Sequence, residues 1–199
     1  PSLPALLAAR CPDAGACASV AAPRARIRGS LPTALGAYTA LTALDLPGNA
    51  LHGSIPSAFG LLTALGTLRL AGNALTGRLP SELGRARSLT SIDVSGNSLT
   101  GPVPTELGRV STLRFLGLRW LPSLVNATLP SELGNMAQLT AIDARAASLT
   151  GAVPTEVGRL GALQDVLLAW GVLEGPLPTE LGRLSALVRL DVHGNGLTG

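Results

Sequence analysis

Between Gly77 and Thr100 the chain reads GRLPSELGRARSLTSIDVSGNSLT, with apolar residues at fixed places among small, polar and charged ones. The run Leu89-x-x-Ile92-x-Val94 alternates over a few residues, which predicts a short strand with one buried face. Ile92 and Val94 then face inward, and Thr90, Ser91, Asp93 and Ser95 face outward. Pro80 sets φ at a corner. Ser81-Glu82-Leu83-Gly84 is too short for a long helix and predicts a single 3-10 turn on the opposite side.

The same order recurs. Gly29, Gly53, Gly77 and Gly101 precede equivalent x-Leu/Ile/Val-Pro corners at 24-residue intervals, as do Gly151 and Gly175. Gly101 and Gly151 lie 50 apart, with Ala127 in the glycine slot between them, so the fourth unit is two residues longer. A period in the twenties with apolar residues at constant phase predicts a solenoid whose strands stack about 4.8 Å apart in a parallel sheet. Pro32, Pro56, Pro80, Pro104, Pro130, Pro154 and Pro178 mark the corners. Asn49, Asn73, Asn97 and Asn195 share one position, where an inward amide can pair with backbone groups of adjacent coils.

Written out as Leu-x-x-Leu-x-Leu-x-x-Asn-x-Leu-x-Gly-x-Ile-Pro-x-x-Leu-Gly-x-Leu, the unit is similar to the plant-type extracellular leucine-rich repeat, from Gly29 to Gly199. The resemblance implies an α/β solenoid: a right-handed superhelix with a parallel concave sheet, 3-10 turns on the convex side and a short second sheet. Family members include receptor ectodomains, receptor-like proteins and inhibitors of cell-wall-degrading enzymes. They bind proteins, peptides or small hormones without catalysis in the repeats. The resemblance therefore implies a non-catalytic recognition module of the secretory pathway or cell surface.

Residues 1–28 are expected to form the N-terminal cap, with Ala5–Arg10 as a short helix covering the first coil's apolar edge. Val20, Ala22 and Ile27 fill the inward slots of a degenerate zeroth repeat. The family's caps carry a close cysteine pair, so the resemblance implies a Cys11–Cys17 disulfide and an oxidising compartment; two buried free thiols are the alternative. The tryptophan usual between such cysteines is missing. Residues 29–199 are read as about seven 24-residue repeats ending mid-repeat without a C-terminal cap, Gly199 opening an eighth unit, so continuation of the natural protein is expected.

Repeats four to six break the pattern. Their asparagine is lost, with Ala147 and Gly171 in the last two slots, while bulky or charged residues appear outward: Arg114, Phe115, Arg119, Trp120, Arg145, Gln164, Asp165, Leu167 and Trp170. Tryptophan and arginine are favoured interface anchors, which predicts a partner-binding patch on the concave face. The alternative is that Trp120 and Trp170 fold back into the gaps in the asparagine column. Asn126-Ala127-Thr128 is a glycosylation sequon in the enlarged loop.

Composition narrows the partners. All 15 basic residues are arginine, the net charge is +3, and aromatics make up 3%; the arginines form no concentrated face, so nucleic acid is not expected. Leu46–Leu68 lacks Asp, Glu, Lys and Arg, but Pro47, Asn49, His52, Ser54 and Pro56 argue against a membrane span. His52 and His193 lie far apart without a nucleophile and orienting acid at matched phase, and no phosphate loop or His-x-x-x-His occurs. Two cysteines with no nearby histidine make no metal site, and no cofactor is expected. Glu82, Glu106, Glu132, Glu156 and Glu180 form a convex row, with Arg85, Arg109, Arg159 and Arg183 three residues on, predicting weak exposed pairs. Two other roles are weighed: a rigid subunit packing against neighbours in an extracellular assembly, and, third, ice binding through Thr76, Thr100, Thr150 and Thr198. That threonine column is interrupted by His52, Asn126 and Glu174.

Overall fold

Ser2 is extended and its hydroxyl accepts from Ala5 N at 3.3 Å, capping the α-helix Leu3–Arg10. In the computed structural model, which describes residues 1–198, this is the one α-helix. Leu3 and Leu7 are buried beneath it. A Cys11–Cys17 disulfide follows, the pairing that the resemblance implied. The Arg10 guanidinium donates to Ala21 O at 2.7 Å, tying the helix end to the first strand.

Ser19–Ala21, Ala43–Asp45, Thr67–Arg69, Ser91–Asp93, Phe115–Gly117, Ala141–Asp143, Asp165–Leu167 and Arg189–Asp191 form one parallel sheet in chain order. This is the concave sheet of a right-handed leucine-rich-repeat solenoid. Val20, Leu44, Leu68, Ile92, Leu116, Ile142 and Val166 are the central residues of successive strands and are at most 1% exposed. Burying each such side chain contributes about 1.5–3 kcal/mol. Phe115 pairs with Ser91 on one side and Ala141 on the other. The two extra residues of the fourth repeat therefore lie after its strand, in the loop following Leu121, where Leu124 is buried and Val125 exposed.

Seven 3-10 turns, from Thr33–Ala37 to Thr179–Arg183, line the convex side, each preceded by an extended proline. Adjacent turns touch at their glycines: a Cβ on Gly60 or Gly108 would sit 2.5 Å from the carbonyl oxygen of Glu82 or Glu132 on the next coil. The glutamates do not meet the arginines of their own row. Among the described residues no ion pair joins the two convex rows, and Glu106, Glu132 and Glu156 instead accept from the Thr105, Ser131 and Thr155 hydroxyls at 3.2–3.3 Å. The expected convex pairs are thus replaced by local hydrogen bonds, which order fewer long side chains.

The asparagines stitch coils together. Asn97 Oδ1 accepts from Leu75 N at 3.0 Å, while its Nδ2 donates to Leu70 O at 3.1 Å and Val94 O at 2.8 Å. Asn49, Asn73 and Asn195 repeat this arrangement. Leu121, Ala147 and Gly171 stand in the same column without an amide; Leu121 and Ala147 are buried.

The second sheet is split. Arg28–Ser30, Ala50–Ser54, Ala74–Gly77 and Ser98–Leu99 form one part; Thr150–Gly151, Val172–Pro176 and Gly196–Thr198 form the other. Only an Ala127–Leu149 bridge carries pairing from the enlarged coil. The threonine column is not a row of paired rungs either. Thr76 pairs with Ser54 and Ser98, Thr150 with Val172, and Thr198 with Pro176. Gly199 lies outside the described residues.

Replacing Asn97 by Ala strands the Leu75 amide and the Val94 carbonyl inside the stack. At about 1–3 kcal/mol for each buried group left unpaired, urea unfolding is predicted to show a loss of about 3 kcal/mol. Asn195→Ala, in the more exposed last coil, is predicted to cost less.

Candidate functional site

After each strand of the concave sheet the backbone turns through the left-handed region. Gly48, Gly72, Gly96 and Gly194 hold this place with φ of 62 to 67°. In repeats four to six the same place holds Trp120 at 56°, Ala146 at 52° and Trp170 at 60°. A side chain costs roughly 1–2 kcal/mol in this region, where glycine costs none. Both indoles stand in solvent, 58% and 67% exposed. They do not occupy the vacant asparagine places: those are taken by Leu121 and Ala147 themselves, and Gly171 leaves room for the Asn195 amide. The fold-back alternative is thereby corrected.

Trp170 leans onto the following coil. A Cβ on Gly194 would lie 2.7 Å from its Cε3, so that glycine leaves space for the indole. The His193 ring meets Trp170 edge to face, with centroids 4.7 Å apart and an interplanar angle of 82°. His193 Nδ1 is in turn paired with Asp191. The Arg119 guanidinium lies 5.8 Å from the Trp120 ring centroid, within cation–π range. The two indoles, Arg119, Ala146, Asp191 and His193 line one open cleft of about 230 Å³, with Arg145 at its border.

A second, larger depression of about 620 Å³ adjoins it over the strands, lined in part by Phe115, Arg145, Asp165, Leu167 and Arg189. Phe115 is half-buried beside Gly117, where a Cβ would come within 2.9 Å of its ring. Arg145 belongs to both hollows. It is not free: its Nε and terminal nitrogen fork onto Asp143 at 2.8 and 2.6 Å. Asp165 is likewise forked by Arg189 at 2.6 and 3.0 Å. The structure thus brings seven of the nine patch residues around two neighbouring hollows. Arg114 and Gln164 line neither; they are exposed in the column at the leading edge of the strands, and Arg114 bonds Gln138 at 3.4 Å.

The sequence reading omitted Ala146, Asp191, His193 and Arg189. Their signal was positional: His193 is one coil beyond the Arg145 column's Ala169, and Arg189 is one coil beyond Asp165. Aspartate recurs at one strand position, as Asp45, Asp93, Asp143 and Asp191, with local roles. Asp93 and Asp143 each accept from the backbone amide two residues on, at 3.1 and 3.3 Å. Asp191 pairs instead with the His193 ring, and Asp45 has one buried carboxylate oxygen unpartnered.

The fork from Arg189 holds the Asp165 carboxyl below its ordinary range, and Asp143 raises Arg145 in the same way. Because the folded Asp165 value lies below the unfolded one, whatever stability the pair adds is present above the unfolded carboxylate range and is lost as pH falls through the folded value. Arg189 is largely exposed, which keeps that contribution small. Among the described residues there is no cluster of three potential metal ligands, and no helix is long and apolar enough to cross a membrane. Asn126 of the sequon is exposed in the enlarged loop, with φ of 59°.

Two outcomes follow. Ala146→Gly relieves about 1–2 kcal/mol of left-handed strain at a backbone-entropy cost of about 0.5–1 kcal/mol. Urea unfolding is therefore predicted to show a gain of about 0.5–1 kcal/mol, against the usual sign for this change. Carboxyl-detected NMR titration is predicted to place the Asp165 midpoint below that of a free aspartate, and Arg189→Gln to move it upward.

The Leucine Rich Repeat family profile matches residues 40–62 and 88–110. The plant peptide hormone receptor RGFR1, solved in complex with RGF2, superposes with a TM-score of 0.85 at 30% identity, covering 90% of this chain and 29% of that one. The ectodomain of the Arabidopsis receptor kinase HAESA, solved with an IDA peptide hormone ligand, gives 0.80 at 32% identity, covering 86% and 29%. A plant ice-binding protein shares the fold, with a TM-score of 0.69 at 22% identity over 93% of this chain and 66% of that one. No curated protein matches. The chain spans about 29% of the length of the two receptor ectodomains. The matched coils, the same coil repeated along the sheet and the likeness to those ectodomains show leucine-rich repeats similar to those of plant receptor ectodomains.

Proposed function

We propose that the chain is a non-catalytic extracellular module that recognises a protein or peptide through the concave face of repeats four to six. The observation that carries this reading is the exposure of Trp120 and Trp170 on strained backbone that glycine occupies in neighbouring coils. Strain of this kind persists where surrounding structure enforces it, and it concentrates at functional sites. Exposed tryptophan beside arginine is also the composition of interface hot spots. The receptor ectodomains similar to this chain were solved with peptide ligands, which supports the same mode of use.

On this reading residues 1–28 cap a repeat domain covering 29–199, and no cofactor or nucleic acid is involved. The Cys11–Cys17 disulfide supports an oxidising compartment, outside the cell or at its surface. Asn126 is the proposed glycan acceptor, on the loop that separates the two lateral sheets.

The test is selection of a random peptide library on the immobilised chain, then titration of the selected peptides against Trp170→Ala. Loss of the hot spot is predicted to weaken binding at least 30-fold, about 2 kcal/mol, with an unchanged circular dichroism spectrum. Undiminished binding by the folded variant contradicts the reading. Capture of no peptide, together with fixed-stoichiometry incorporation into a larger assembly, favours the structural-subunit role instead.

A further inference from the structure

We infer that the cleft between Trp120 and Trp170 is a socket for one uncharged aromatic side chain of the partner. This rests on the recognition reading above and names what its anchor point accepts. Coils repeat about every 4.8 Å, so equivalent positions two coils apart lie roughly 10 Å from each other. The intervening coil contributes only the methyl group of Ala146 to that column. The hollow that results, about 230 Å³, is smaller than the ~300 Å³ at which small-molecule sites begin. Its size suits a side chain delivered on a polypeptide.

The walls decide which side chain. A cation is disfavoured, because the Arg119 guanidinium already lies over the Trp120 ring and Arg145 borders the same space. An anion meets Asp191 in the wall, with Asp143 behind Arg145. A saccharide needs several hydrogen-bonding groups free at once, yet Arg145 is forked onto Asp143 and His193 is paired with Asp191, which leaves the Arg119 guanidinium alone. Beside that one donor group, what the cleft leaves unsatisfied is indole surface. Offset or edge-to-face packing of an aromatic ring uses that surface, as the His193 edge already does against Trp170. Arg119 makes no ion pair among the described residues, so its remaining donors can reach a carbonyl of the partner's backbone.

Trp120 and Trp170 are the only tryptophans, so a ¹⁵N-labelled chain gives two indole N–H signals, both from the socket. The probes are N-acetylphenylalaninamide, N-acetylleucinamide, N-acetyllysinamide and methyl glucopyranoside. The phenylalanine amide is predicted to shift both signals saturably, and at least fivefold more tightly than any other probe. Ala146→Leu, which fills the socket without removing either tryptophan, is predicted to abolish that response while both signals stay dispersed. Equal or tighter binding of the leucine, lysine or sugar probe overturns the assignment, as does an absent response or an Ala146→Leu variant that responds unchanged. Library selection on the same chain separates the two failures. Peptides that are captured but carry no recurrent aromatic residue leave recognition standing and remove the socket. Capture of no peptide removes the recognition reading, and the probe titration still decides whether the socket exists.

Discussion

Every coil in this molecule is completed by its neighbour. The strands of the concave sheet are three residues long and cannot satisfy their own backbone groups, so each inner strand pairs on both sides, with the coil above and the coil below. The asparagine amides extend this dependence into the turn: Asn97 bonds one amide and one carbonyl of the preceding coil and two carbonyls of its own. Such bonds need equivalent residues to fall one above another, and that fixes the coil length. The leucine columns follow from the same constraint, since a stack in register places like side chains in contact.

The constraint also explains where variation is allowed. The fourth coil takes its two extra residues after the strand, where they interrupt the lateral pairing and leave the concave sheet continuous. In the same region the asparagine column lapses, and its place is filled by small or apolar groups that need no partner. The turn beyond keeps its left-handed backbone through hydrogen bonds that run regardless of side chain, Trp120 N to Arg145 O and Trp170 N to His193 O, at 2.9 and 2.8 Å. A regular scaffold on either side can thus hold two tryptophans in a conformation they would not choose alone. It presents them to solvent and stops them collapsing into the core. Rigid aromatic groups lose little conformational entropy on binding, which is the property an anchor requires.

The periodicity made most of the architecture legible. Strand phase, corner prolines and 3-10 turns each have a local cause that recurs, and recurrence outweighs the weakness of any single signal. The patch was legible as a departure from that recurrence. What could not be read was how the departures are spent. Arg145 looks available in the sequence, but Asp143 two residues away occupies it; Asp165 is taken by Arg189 from the next coil. The convex arginines look paired and are not, because the glutamates find nearer hydroxyl donors. One further signal lies in the sequence: Trp120 and Trp170 stand where Gly48, Gly72, Gly96 and Gly194 stand in other coils. A column of glycines implies positive φ, so the strain at the tryptophans was inferable. The lean of Trp170 over Gly194 toward His193 was not, since it depends on the packed coordinates.

The central claim is that these two tryptophans are kept in a glycine column for contact and not for stability. The most direct measurement restores the column with the double variant Trp120→Gly/Trp170→Gly and follows both unfolding and capture of peptides selected on the parent chain. The account predicts a folded solenoid with cooperative unfolding and no measurable capture. A double variant that captures the same peptides with the parent's affinity, or one that fails to fold, contradicts it.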